Sequence, residues 1–175
     1  MRKFILFLIL ILIVFLIYLH LDPLGYVMPV EGAKRSSYSQ HSFWAYPWGT
    51  SGYHKGVDIF AKKGTPVFAA TRGIVVFNGV LSKGGNVVLI FGPWFRNHYY
   101  AHLDQSQVHL FQLVSAGDRI GSVGTTGNAK GKPPHLHYSI GTMIPRFGED
   151  VSGINRFYYD PTPYLNGAIG DFKVQ

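Results

Sequence analysis

Three histidines and an aspartate, held in two short motifs, carry the chemistry legible in this chain: His54-Lys55-Gly56-Val57-Asp58 and His135-Leu136-His137. Imidazole nitrogens with one carboxylate oxygen make an N,N,O set. Such a set suits Zn²⁺ in a three-ligand site that keeps one position open for water. Side chains two apart on a strand share a face, so His135 and His137 project together while Leu136 and Tyr138 face the other way. One of the pair can bind a metal while its neighbour stands over the metal-bound water, an arrangement that reads as metal-assisted hydrolysis. A third segment, His98-Tyr99-Tyr100-Ala101-His102-Leu103-Asp104, adds two histidines. On a continuous strand His98 and His102 would share a face about 13 Å apart, too far for joint ligation, which assigns His98 to a rim or the core. His41 and His109 read as surface residues, and Tyr99 and Tyr100 as sheet packing.

The elements that must hold these motifs are strands. Short apolar or β-branched runs recur at Val57–Phe60, Pro66–Ala70, Gly73–Phe77, Asn86–Phe91, His98–His102, Arg119–Val123 and His135–Ile140. They are separated by turn signals such as Gly64-Thr65-Pro66, Lys83-Gly84-Gly85 and the stretch Gly124–Gly131. Beyond the N-terminus no window offers a helical stripe longer than about three turns. The sequence therefore predicts an all-β, mostly antiparallel sheet domain with loops over an open groove. With 175 residues there is room for one such domain and a core that needs no staples. The tail from Thr142 to Gln175 reads as loop, with Asp160-Pro161-Thr162-Pro163-Tyr164-Leu165 as a closing clamp.

The N-terminus stands apart. Met1-Arg2-Lys3 precedes Phe4–Leu21, which is apolar except for Tyr18 and His20. Eighteen residues as a helix extend roughly 27 Å, enough to cross a hydrocarbon core. The basic residues lie only before the run, so the positive-inside rule places the rest of the chain outside the cytoplasm. Leu21-Asp22-Pro23-Leu24-Gly25 is a poor cleavage site, which favours an uncleaved anchor over a signal peptide. His20 would mark the outer membrane interface. The resulting division is an anchor over 1–21, a Pro-, Gly- and Ser-containing linker over 22–41 and a domain over 42–175. The expected location is the inner membrane, single-pass, with the domain in the periplasm.

Composition narrows the partners. The formal charge is +7 with 14% charged residues and no cysteine. The basic residues are scattered, apart from the Lys130/Lys132 pair, so no nucleic-acid stripe forms; an exported basic protein meets anionic cell wall and lipid instead. Gly124-Thr125-Thr126-Gly127 is no phosphate loop, because no Gly-Lys-Ser/Thr follows in that spacing.

Together these segments resemble the LytM/lysostaphin family of zinc metallopeptidases, which cleave peptide bonds of bacterial peptidoglycan. The resemblance covers about residues 48–141 and the closing Asp-Pro element. It runs through His54-x-x-x-Asp58 with Gly56, Gly64-Thr65-Pro66-Val67, Gly73-Ile74-Val75, Gly84-Gly85 and Tyr99-Tyr100-Ala101-His102-Leu103. Gly117-Asp118, Gly121-x-x-Gly124-x-Thr126-Gly127 and His135-Leu136-His137-Tyr138 continue it. By that resemblance His54, Asp58 and His137 are the zinc ligands, and His102 and His135 the two non-ligand histidines of the active site. One takes the water's proton and the other stabilises the developing oxyanion; the reading here takes His135 as base and His102 as the electrostatic partner. It implies a zinc-dependent endopeptidase acting on peptidoglycan stem peptides. The alternative is a wall-binding or amidase-activating regulator of the same fold. Lys130 and Lys132, just before His135, would suit stem-peptide carboxylates. With the anchor, they point to direct cross-links rather than glycine bridges.

Overall fold

The computed structural model describes residues 2–20, 26–49, 52–148 and 153–169, with side chains in the first stretch reaching Ile17. Nine strands form one antiparallel sheet among these residues: β1 (Val57–Phe60), β2 (Pro66–Phe68), β3 (Gly73–Leu81), β4 (Gly85–Phe91), β5 (Arg96–Ser106), β6 (Leu113–Val114), β7 (Arg119–Val123), β8 (His135–Thr142) and β9 (Tyr158–Tyr159). The main order is β1-β8-β5-β4-β3-β6, with β2 on β7, β7 on the far end of β5, and β9 on β8. Each expected run became a strand, and β3 and β5 extend past it. Alternation explains the layering: Val57 and Ile59 of β1, Leu136, Tyr138 and Ile140 of β8, Tyr100 of β5 and Val88 and Ile90 of β4 all turn into one buried cluster. The opposite face of β1, β8 and β5 stays open as the floor of a groove.

Two boundaries differ from the sequence reading. The expected linker is part of the domain from Tyr26 onward. Met28, Val30 and Tyr38 are buried in the core, Val30 bridges Val67, and the Val27 amide donates to the Ala70 carbonyl. The segment contributes single strand-like contacts rather than a periodic run, so it carried no apolar pattern to read. The tail likewise holds β9 and a short helix, α2 (Thr162–Ala168), which buries Leu165 and Ala168. The Asp60s clamp expected at Asp160–Leu165 is thus a turn into a helix: Asp160 Oδ1 accepts from the Thr162 amide at 2.8 Å. The two ends grip each other, with Tyr26 packed on Tyr164 and Asn166 Oδ1 accepting from the Tyr38 hydroxyl.

At the N-terminus the chain forms the helix α1 (Arg2–His20), whose apolar side chains from Phe4 to Val14 are exposed. Among the described residues, however, no helix is long and apolar enough to cross a membrane. Leu21, the end of the expected span, lies outside the described residues, as does the side chain of His20.

Candidate metal centre

β1 and β8 pair so that Asp58 sits opposite His137, and this register brings the two motifs together. Gly56 makes the approach possible, because a Cβ there would strike the Tyr138 carbonyl oxygen and come within 3.0 Å of the His137 ring. Asp58 Oδ1 lies 2.8 Å from His137 Nδ1 and 3.1 Å from His54 Nε2, and the two nitrogens are 3.2 Å apart. Four-coordinate zinc with ligands at about 2.0–2.1 Å separates its ligand atoms by roughly 3.3 Å. The three atoms are thus spaced for one ion. Tautomers agree: His54 Nδ1–H donates to the Ser42 carbonyl at 2.9 Å, which turns the Nε2 lone pair into the triad. A carboxylate oxygen facing that lone pair has no proton to share with it, so a cation between them satisfies both. The residues present therefore fit zinc.

Electrostatics reinforce the anionic ligand. Burial alone would raise the Asp58 carboxyl, but hydrogen bonds with His137 and His54, and the charges of those rings, outweigh it. The carboxyl is held far below the usual carboxylate range and is ionised throughout the ordinary pH scale. Trp48 covers the outer side of His54, with ring centroids 4.0 Å apart and planes 13° apart.

His102 and His135 face each other beside the triad, 5.0 Å between ring centroids. Each is fixed by one bond from Nδ1: His135 donates to the Pro133 carbonyl at 2.8 Å, and His102 to the Thr126 carbonyl at 2.9 Å. Both therefore present Nε2 as an acceptor, and that of His135 lies 3.9 Å from Asp58 Oδ2. Burial, with His137 and His135 nearby, pushes the His102 imidazole down to about 4, so it is neutral at physiological pH.

His102 reaches this place through a fault in its strand. Asn86 of β4 pairs with Leu103 and Val88 with Tyr100, so β5 carries one extra residue there, and His102 takes a left-handed φ of 63°. A bulge of this kind re-aims side chains. It turns His102 to the face already held by Asn97, Tyr99 and Ala101, whereas His98 remains on the opposite, buried face. The shared face expected for His98 and His102 is thereby corrected: no spacing rule survives an inserted residue. His98 Nδ1 instead meets the Tyr138 hydroxyl at 2.8 Å in the core, and His41 and His109 are exposed.

The five residues line a groove of about 1070 Å³. Its other walls hold residues the sequence reading passed over, among them Trp48, Tyr53, Lys55, Lys83, Phe157 and Tyr158. Tyr99 lines it too, whereas Tyr100 is core. Of the two lysines proposed for the rim, Lys132 lines the groove and Lys130 does not. No local signal marks Trp48, whose partner is fixed only by the fold.

A sheet groove floored by a two-histidine, one-carboxylate triad, with two further histidines set as acceptors, defines a metal-dependent hydrolase class of site. Comparison with known proteins agrees. Residues 52–148 match the model of peptidase family M23, and the chain belongs to that family. It is 34% identical over 157 residues to the L-Ala–D-Glu endopeptidase of Bacillus subtilis, covering 85% of this chain and 45% of that one. It is 42% identical over 116 residues to the DD-carboxypeptidase/endopeptidase Mpg of Neisseria meningitidis, covering 66% and 25%. The catalytic domain of the antimicrobial peptidase lysostaphin from Staphylococcus simulans superposes with a TM-score of 0.59 at 34% identity, over 71% of this chain and 89% of that one. The chain thus spans between a quarter and a half of the length of these curated relatives.

Proposed function

We propose that this protein is a zinc-dependent endopeptidase that hydrolyses peptide cross-links of bacterial peptidoglycan. The convergence of His54 Nε2, Asp58 Oδ1 and His137 Nδ1 beside two histidines locked as acceptors carries the reading. Endopeptidase relatives from two bacterial genera support the substrate. His54, Asp58 and His137 hold the ion, which supplies Lewis acidity toward the scissile carbonyl and an activated water. His135 Nε2, beside the ligand carboxylate, takes the proton of the attacking water and passes it to the leaving amine. The Nδ1 bond to Pro133 fixes the ring for both steps. His102 first accepts from the water and orients it. With Nδ1 committed to Thr126, its Nε2 donates to a developing oxyanion only once protonated.

The apolar helix α1, preceded by Arg2 and Lys3, supports attachment to the inner membrane with the domain on the periplasmic side. The domain begins packing at Tyr26, and the five intervening residues reach at most about 20 Å. The groove would then work close above the bilayer. Digestion of purified peptidoglycan by the full chain with zinc, with products identified by mass, tests the function. New amine termini at peptide bonds are expected. Intact peptides after digestion, with a partner amidase stimulated instead, would favour the regulator.

A further inference from the structure

The charged residues around the groove are of nearly one sign. Among the described lining residues Lys55, Lys83 and Lys132 are cationic, and Asp58 is the sole carboxylate. Asp58 is turned to its two imidazoles and offers nothing to a lysine. The lysines are spread along the groove. Lys55 follows His54 and stands over the Tyr158 ring at 5.7 Å. Lys83 and Lys132 sit on two loops beside His102: the Gly84 carbonyl accepts from the His102 amide, and the Lys83 carbonyl accepts from that of Asn128. The ring contacts run from His54 to His137 at 5.0 Å and from His137 to His102 at 6.0 Å. Cations therefore flank the triad at both ends. By contrast Lys63, away from the groove lining, is paired with Asp104 at 3.0 Å.

We propose that Lys55, Lys83 and Lys132 make this groove select acidic peptides, those with free carboxylates on both sides of the scissile bond, over uncharged glycine chains. The proposal rests on the endopeptidase reading and specifies its substrate. A peptide laid along the groove places its reacting carbonyl at the triad, and its flanking carboxylates then meet an ammonium on each side. A glycine bridge of the same length has nothing to offer these groups, yet must still displace their water. The lysines are partly exposed, so each contributes an increment typical of solvent-accessible pairs, about two- to fivefold in kcat/KM. The preference is screenable by salt.

The test uses the full chain in detergent with three probes: a cross-linked stem-peptide dimer with free carboxylates, the same dimer amidated, and a pentaglycine-bridged dimer. Cleavage is measured on the zinc-loaded protein, and equilibrium binding by calorimetry on the zinc-depleted protein. The free-carboxylate dimer should exceed the other two by about tenfold in both readouts. Raising salt from about 0.1 M to 1 M should compress that ratio as the screening length falls from about 10 to 3 Å. The triple variant Lys55→Gln/Lys83→Gln/Lys132→Gln should bring it near one, triple replacement by Arg should preserve it, and Lys130→Gln should leave it unchanged. Equal binding of free and amidated dimers, or a preference that survives the triple Gln variant, would overturn the proposal. A binding preference without cleavage of any probe would sink the endopeptidase reading and leave the selection standing.

Discussion

Replacing Gly56 by alanine should weaken the metal centre more than its single methyl suggests. The added Cβ would lie about an ångström inside ordinary contact with the Tyr138 carbonyl oxygen, which is backbone and cannot swing aside. It would also press on Cε1 and Nε2 of His137 at 3.0 Å. Relief requires β1 to draw back from β8, the pairing that sets Asp58 opposite His137. Overpacking of this kind costs about 1–3 kcal/mol, and every 1.4 kcal/mol that falls on ligand geometry weakens metal binding about tenfold. Gly56→Ala is therefore expected to raise the zinc dissociation constant roughly tenfold and to lower the melting temperature by about 4–10 °C. Chelator competition and thermal melts of the metal-free and loaded protein measure both. Gly167→Ala is the control: nothing lies within 4 Å of a Cβ there, and alanine in α2 should be neutral or slightly stabilising. A Gly56→Ala protein with unchanged zinc affinity and melting temperature would refute the argument that this glycine sets the register of the triad.

Three other outcomes follow from the same geometry. Burial and the nearby Arg96 hold the His98 imidazole down to about 3, whereas an unfolded imidazole takes its proton below about 6.5. The unfolded chain binds more protons between those values, so stability is full above pH 6.5 and drains as pH falls towards 3, by up to roughly 5 kcal/mol. His98→Gln should flatten that part of the curve in denaturant titrations of the metal-free protein, and an unchanged slope would count against it. Because Trp48 stacks on His54, zinc should shift tryptophan emission, and Trp48→Leu should abolish most of the shift and weaken binding about two- to fivefold. In cells the full chain should sediment with membranes and yield its domain to protease added outside the inner membrane. A soluble mature chain beginning near Gly25 would show a cleaved leader.

Much of this site could be read from residue order, because its ligands sit on strands whose period is obeyed. β1 begins at Val57 and β8 at His135 as their apolar runs indicate, and their pairing delivers His54, Asp58 and His137 to one point. The failures mark where local pattern loses to tertiary context. A one-residue bulge reversed the face of His102, which two-residue alternation cannot anticipate. Residues 26–41 pack through isolated side chains such as Met28 and Val30, so they read as a linker. The helix α2, with prolines at 161 and 163, is too short to show a period. Lys83 belongs to the groove only because its turn folds over against the Gly127–Ala129 turn.

The central claim is that a triad-held metal is required for hydrolysis and that the histidines flanking it act without holding the metal. Zinc stoichiometry and peptide hydrolysis, measured on the same preparations of the wild-type chain, His137→Ala and His135→Ala, test it most directly. The wild-type chain should carry one zinc, lose hydrolysis on chelation and regain it with added zinc. His137→Ala should lose both metal and activity, and His135→Ala should keep the metal and lose activity. Near-stoichiometric zinc in His137→Ala, or undiminished hydrolysis by His135→Ala, would contradict the account.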